Sequence, residues 1–145
     1  MIVHETLERD RPLTHGSLIF DDHNQIGMLV NPTAETISLE KIHALSPIEI
    51  RYVFITEFLS QQFLYYMCLV AQLSARLYVT NPYLATNALL AFKPGDTVEF
   101  GNVRVRVEQG CGLKLCIYDL SNRERKPWLE FACDTPSENF CHINR

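Results

Sequence analysis

The feature that most restricts the fold of this chain is a long apolar stretch that neither glycine nor proline interrupts. It begins at Ser46-Pro47-Ile48-Glu49, where a capping serine, a proline at the first helical position and a following glutamate are typical of a helix start. From there to about Tyr78, apolar side chains cover more than one helical face. A helix that is apolar on most sides is normally buried. The sequence therefore predicts one long, buried helix that ends between Leu73 and Val79.

Shorter segments on both sides of this helix have the alternating pattern of β-strands. Before the helix, we predict a strand pair at 17–20 and 26–30 around the turn Asp21–Asn24, and a short extended segment at 36–42. The strands predicted after the helix are 84–92, 97–108 with a bulge near Gly101-Asn102, 113–119 and 128–133. We therefore expect an α+β fold in which an antiparallel sheet wraps a long central helix.

Length and composition indicate one domain of ordinary globular type. The 145 residues suit a single domain over 1–145, with a loose leader at 1–14 and a polar tail at 135–145. The formal net charge of −4 and the scattered basic residues give no support for a nucleic-acid partner. The longest apolar run, 63–71, is shorter than the ~20 residues of a spanning helix, so no membrane partner is expected. Five cysteines, an odd number, and a charged N-terminus favour a cytoplasmic location.

His43 and Glu57 are the residues whose types and positions suggest chemistry. A carboxylate within an apolar helix is costly to bury in its ionised form, so we expect a raised pKa or a dedicated partner. An imidazole titrates near neutrality and can act as a base. Taken singly, His43 could be a solvated residue before a helix, and Glu57 could lie on an exposed stripe or pair with Arg51. No motif in the sequence implies a cofactor or a metal ion.

The order of elements and two motifs resemble the hot-dog fold. Residues 88–98, which contain the turn Lys93-Pro94-Gly95-Asp96, look like the segment that follows the central helix in hot-dog domains. The stretch from His43 to Gln61, with its E-x-x-x-Q pattern from Glu57, resembles the 3-hydroxyacyl-acyl-carrier-protein dehydratases. This resemblance implies a lyase that acts on a 3-hydroxyacyl thioester carried by acyl carrier protein or coenzyme A.

The same resemblance implies a homodimer, or a multiple of dimers, with active sites shared between subunits. His43 would be the base, Glu57 the catalytic acid, Gln61 a substrate-binding residue, and the amide near Tyr52 the group that binds the thioester carbonyl. Two alternatives stay open at this point. The loop after His43 lacks the glycines of the dehydratases, which favours a hot-dog acyl thioesterase with Glu57 as base. The other alternative is a hot-dog protein that binds an acyl chain without catalysis.

Overall fold

The computed structural model describes residues 1–7, 16–122 and 126–134, and it forms ten strands and two α-helices within these ranges. The strands are β1 (Ile2–Leu7), β2 (Gly16–Asp21), β3 (Ile26–Val30), β4 (Glu49–Ile55), β5 (Arg76–Val79), β6 (Leu89–Ala91), β7 (Thr97–Phe100), β8 (Val103–Gly110), β9 (Gly112–Asp119) and β10 (Leu129–Ala132). The helices are α1 (Leu39–His43) and α2 (Phe63–Gln72), and short 3₁₀ helices occupy Ser60–Gln62 and Pro82–Leu84.

The strands form two sheets of different construction. The larger sheet has the order β1-β2-β3-β4-β5-β6, with antiparallel pairs from β1 to β3 and parallel pairs from β3 to β6. Parallel neighbours need crossover connections, and here α1 joins β3 to β4 while α2 joins β4 to β5. The smaller sheet is an antiparallel meander with the order β10-β9-β8-β7.

Two apolar layers hold these elements together. The first lies between the sheets, where Met28 and Phe54 of the larger sheet share a cluster with Val105 and Leu115 of the smaller one. The second lies on the other face of the larger sheet, where Tyr66 and Leu69 of α2 share a cluster with Val53 and other strand residues. The central strands of the larger sheet are therefore buried on both faces, with a sheet on one side and helices on the other.

The predicted long helix is wrong, because its sequence divides into β4, α2 and β5. Within β4, Val53 belongs to the helix-side cluster and Phe54 to the cluster between the sheets. A parallel strand buried on both faces has no polar side, so its apolar run lacks the alternation that usually identifies a strand. The signals at Ser46-Pro47 precede a strand instead of a helix, since Glu49 is the first residue of β4.

Several predicted strands are confirmed and others are not. The pair around Asp21–Asn24 matches β2 and β3, and the segments 113–119 and 128–133 match β9 and β10 within two residues. The segment 97–108 is two strands, because Gly101-Asn102 forms a hairpin turn and not a bulge. The segment 36–42 contains most of α1, and only Leu89–Ala91 is a strand within 84–92.

The ends of the chain are described only in part. β1 occupies Ile2–Leu7, so the first half of the predicted loose leader is a strand paired with β2. The rest of that leader, from 8 to 14, and the predicted tail at 135–145 lie outside the described residues. Among the described residues, no helix has the length and apolar character needed to cross a membrane.

Candidate functional site

The candidate site lies at the carboxyl edge of the parallel strands, defined here by the residues that follow β3, β4, β5 and β6. Open sheets with parallel strands commonly bind ligands at this edge, because loops leave the strands there and carry side chains into one region. The polar side chains that begin these loops are Asn31 after β3, Glu57 after β4, Thr80 after β5 and Lys93 after β6.

Asn31 holds the loop after β4 in place. Its side-chain oxygen accepts hydrogen bonds from the backbone N–H groups of Thr56, at 2.8 Å, and Glu57, at 3.2 Å. Its side-chain nitrogen donates to the Thr56 hydroxyl at 2.9 Å. Asn31 has a φ of +49°, a left-handed conformation that asparagine tolerates better than most residues. This geometry fixes the backbone at Glu57.

The smaller sheet contributes a second carboxylate to the same edge. Asp134 follows β10, and its backbone N–H donates to the carbonyl oxygen of Thr56 at 2.8 Å. Its carboxylate accepts a hydrogen bond from the Phe58 N–H at 3.1 Å. The loop after β4 is therefore tied to β3 on one side and to the end of β10 on the other.

The two carboxylates of the site interact electrostatically. Burial raises the pKa of Glu57, and the nearby charge of Asp134 raises it further. Burial also raises the pKa of Asp134, although the hydrogen bond from the Phe58 N–H opposes that shift. Carboxyl groups with raised pKa values bind protons more tightly than exposed carboxyl groups do. When both are ionised, a positively charged ligand can interact with the two of them at once.

Tyr66 of α2 contacts the loop after β4 from the helix side of the larger sheet. Its side chain is buried, and its hydroxyl accepts a hydrogen bond from the Leu59 N–H at 3.2 Å. Burial raises its pKa to about 12, and the charges of Glu57 and Asp134 act in the same direction. The hydroxyl therefore stays protonated at neutral pH next to the two carboxylates.

A cavity of about 360 Å³ lies where the loops after β5 and β6 meet the turn between β8 and β9, and neither Glu57 nor Asp134 is among its lining residues. Its polar lining comes from Thr80, Lys93 and Gln109, and its apolar lining includes prolines and Leu113. Cys133, which precedes Asp134, connects the cavity to the carboxylates. The Cys133 thiol forms a hydrogen bond with the Thr80 side chain, and the Cys133 N–H donates to the Leu113 carbonyl at 3.0 Å.

The structure separates the two residues predicted to be catalytic. His43 is exposed at the end of α1, before β4, whereas Glu57 lies after β4. Within one chain, the seven residues of β4 keep these positions about 20 Å apart. Whether His43 and Glu57 have the predicted roles is not tested by this arrangement, and the roles stay predictions.

The two residues predicted to bind substrate also lie apart from each other. Tyr52 is within β4 and stacks on Tyr78 and Phe100 between the sheets, so its amide is not at a helix start. Gln61 is exposed in the 3₁₀ helix before α2, and its neighbour Gln62 is the buried glutamine. The possible pairing of Glu57 with Arg51 does not occur either, since Arg51 contacts Glu49 at 3.4 Å.

The sequence analysis did not select Asp134, Gln109 or Lys93 as site residues. Each follows or ends an apolar strand, and polar residues in that position would have been the available signal. Polar residues at strand ends indicate a site only when the strands are known to be parallel or to meet at one edge. Because the sequence analysis predicted a long helix across β4 and β5, neither arrangement was recognised.

The described part of the chain contains no group of three or more histidine, cysteine, aspartate or glutamate side chains that could hold a metal ion. At the carboxyl edge, the potential donors are the carboxylates of Glu57 and Asp134 and the thiol of Cys133. Burial raises the pKa of that thiol, which disfavours the thiolate form that binds metals.

Comparison with known proteins identifies the fold. No protein-family model and no curated protein matches the sequence. The structure is similar to a metallo-beta-lactamase from Staphylococcus aureus subsp. aureus COL, with a TM-score of 0.69, 13% identity, and coverage of 91% of this chain and 43% of that chain. It is also similar to ETHE1 from Myxococcus xanthus, with a TM-score of 0.62, 17% identity, and coverage of 79% and 53% respectively.

These likenesses show that the chain has the fold of the metallo-beta-lactamase protein and of ETHE1, and that it spans about half the length of each. The predicted hot-dog fold is therefore wrong. The predicted hot-dog dehydratase and the alternative of a hot-dog thioesterase are wrong for the same reason. The fold itself does not conflict with hydrolysis of a thioester, and it does not test acyl binding without catalysis. At identities of 13% and 17%, the structural similarity establishes the fold but not the activity.

Proposed function

We propose that this chain binds a small molecule with a positive and a negative group at the carboxyl edge of its parallel strands. The observation that supports this proposal is the chain of contacts from the two carboxylates to the cavity. Asp134 binds the Phe58 N–H, next to Glu57, and it directly follows Cys133, which is hydrogen-bonded to Thr80 in the cavity lining. Pockets that bind small molecules usually combine an apolar lining with a few converging polar groups. The carboxyl edge has this combination.

The chemistry of the carboxyl edge, which includes the two carboxylates and the cavity, defines the class of ligand. Glu57 and Asp134 accept hydrogen bonds and attract an ammonium group, and binding such a group relieves the repulsion between them. Lys93, with the Gln109 amide and the Thr80 hydroxyl, suits a carboxylate or another anionic group. The apolar lining of the cavity, from prolines and Leu113, suits a short aliphatic chain.

A metal centre of the kind that the name metallo-beta-lactamase denotes does not fit the described residues of this edge. A catalytic zinc ion usually takes three protein ligands, mostly histidine with carboxylate or thiolate. Here two carboxylates and a thiol with a raised pKa are present, and the described histidines, His4, His23 and His43, lie in β1, in the turn after β2 and at the end of α1. The proposed function is therefore binding through side chains, with no step that requires a metal ion.

The experiment is an NMR titration of isotope-labelled protein with three probes of matched length: γ-aminobutyrate, butyrate and butylamine. We expect γ-aminobutyrate to shift the amide signals of Thr80, Gln109 and Asp134, and each probe with one charge to bind more weakly. Glu57→Gln should weaken binding of γ-aminobutyrate about tenfold, since one charge-assisted hydrogen bond is lost.

Glu40→Gln is the matched control, because Glu40 is exposed in the first turn of α1. This variant should bind γ-aminobutyrate as the unmodified chain does. The proposal is wrong if none of the three probes shifts the amides at the carboxyl edge, or if Glu57→Gln and Glu40→Gln bind with equal affinity.

A further inference from the structure

β1 is the outermost strand of the larger sheet, and few buried side chains anchor it. Among the described strands it pairs only with β2. Within β1 the one buried side chain is that of Ile2, while Glu5 and Thr6 are exposed. Segments with few buried apolar contacts open locally at a lower free energy than central strands do. The remaining contacts of β1 therefore determine how firmly it stays on the sheet.

His4 of β1 contacts both sheets. It lies opposite Ile19, which belongs to the cluster between the sheets, so its ring faces the same space. The His4 Nε2 atom is 3.0 Å from the Ser17 hydroxyl of β2. The His4 and Trp128 rings meet edge to face, with centroids 6.1 Å apart. Because Trp128 directly precedes β10, the outermost strand of the smaller sheet, His4 connects the edges of the two sheets.

The surroundings of His4 favour its neutral form. Burial lowers the pKa of His4. The ring faces the Ser17 hydroxyl and the Trp128 indole, which carry no charge, and Ser17 is itself buried. Asp119 and Lys126 line a surface pocket with Trp128, but among the described residues no charged group contributes to the shift of the His4 pKa. None of the described carboxylates therefore offsets the charge that His4 gains on protonation.

We propose that His4 is a pH-sensitive contact that holds β1 on the larger sheet when neutral and releases it when protonated. A charged imidazolium is better solvated in water than beside Ser17 and Trp128, so protonation favours conformations in which β1 has opened. Opening leaves the backbone groups at the edge of β2 unpaired, and unpaired edges of this kind bind other strands. This inference does not depend on the ligand proposed for the carboxyl edge.

The release occurs as pH falls. A histidine in an open strand titrates near pH 6.5, whereas burial makes His4 in the closed strand bind its proton only at lower pH. The preference for the closed strand is therefore complete above about pH 6.5 and declines as pH falls toward the pKa of the closed state. For each unit that separates the two pKa values, opening of β1 becomes about tenfold more frequent at acid pH.

Hydrogen exchange followed by mass spectrometry measures the opening of β1. The unmodified chain and His4→Gln are compared at the same pH values, from about 8 to about 5, which removes the intrinsic effect of pH on exchange. We expect β1 of the unmodified chain to exchange increasingly faster than β1 of His4→Gln as pH falls, while β9 exchanges alike in both. His23→Gln is the matched control, because His23 is exposed in the turn after β2, and it should behave as the unmodified chain does. A difference between the unmodified chain and His4→Gln that does not change with pH would overturn the proposal.

Trp128 provides a second measurement, which needs no variant. It is the single tryptophan of the chain, so tryptophan emission reports on its surroundings alone. We expect the emission to shift to longer wavelength as pH falls below about 6.5, because the departure of β1 exposes the indole further to water. A loss of intensity without a shift in wavelength would show that His4 takes up its proton in place, and it would overturn the proposal. An emission spectrum that stays the same over this range would also overturn it.

Discussion

Asn31 and Thr56 form two hydrogen bonds with each other across neighbouring parallel strands. The Asn31 side-chain oxygen accepts from the Thr56 N–H at 2.8 Å, and its side-chain nitrogen donates to the Thr56 hydroxyl at 2.9 Å. Thr56 is buried and Asn31 is half-buried. The pair therefore connects the ends of β3 and β4, and it fixes the direction in which the chain leaves β4 toward Glu57.

Asn31→Ala is expected to destabilise the protein by about 2 kcal/mol or more, because it leaves the Thr56 N–H and hydroxyl without these partners. Asn31→Gly is the matched control, since it loses the same hydrogen bonds but tolerates the φ of +49°. We expect Asn31→Gly to be about 1 kcal/mol more stable than Asn31→Ala. Urea denaturation measures both, and equal stability of the two variants would show that the left-handed conformation is not maintained.

Glu57→Gln is expected to make stability less dependent on pH. The pKa values of Glu57 and Asp134 are raised in the folded chain, so the folded state binds these protons more tightly than the unfolded state. Their contribution to stability is complete below the unfolded pKa values and is lost as pH rises through the folded ones. The variant should therefore gain stability relative to the unmodified chain as pH rises from about 4 to about 7.

Urea denaturation at several pH values measures this difference. Glu40→Gln is the control, and its difference from the unmodified chain should not change across the same range. In both proteins, Asp21 contributes to the pH dependence of stability with the opposite sign. Burial alone would raise the pKa of Asp21, but hydrogen bonds from the Asn102 N–H and from its own turn lower it. Its contribution is lost as pH falls, and it cancels in the comparison. A pH-independent difference for Glu57→Gln would contradict the coupling of the two carboxylates.

Gly101→Ala is expected to cost about 2 kcal/mol, for two reasons. Gly101 has a φ of +52°, and a Cβ atom there would lie 2.5 Å from the Asp21 carboxylate. That carboxylate accepts the Asn102 N–H at 2.8 Å, and this bond joins the turn after β2 to the turn after β7. Gly110→Ala is the control, because nothing lies within 4 Å of its added Cβ. Similar thermal denaturation of both variants would contradict this account.

Strands were predicted most accurately from the sequence where one face of the strand is polar. In β8, Val103, Val105 and Val107 are buried while the arginines between them are not, and this alternation identified a strand directly. It failed for β4, because Val53 and Phe54 are buried on opposite faces by different layers. The apolar run of β4 at 52–55 is also compatible with a buried helix, and only the partners of each face distinguish the two structures.

The candidate site was predictable only in part. Glu57 was selected because a carboxyl group in an apolar segment requires an explanation, and the structure gives it a raised pKa, as expected. Asp134 could not be paired with it from sequence, because the N–H of Phe58 meets that carboxylate across a separation of 76 residues. Two sheets have to pack together before these groups become neighbours.

The mixed construction of the larger sheet also has a consequence for the order of folding. Each turn of the meander between β7 and β9 has one or two residues, whereas the crossovers of the parallel strands occupy 31–48, 56–75 and 80–88. Closing a longer loop costs more chain entropy before any contact compensates for it, so parallel pairing is intrinsically slower. We therefore expect the local contacts of the meander to form early. The parallel strands can bury the face that packs between the sheets only after the meander has formed. Substitutions in the meander should accordingly slow folding, while those in the crossovers should mainly speed unfolding.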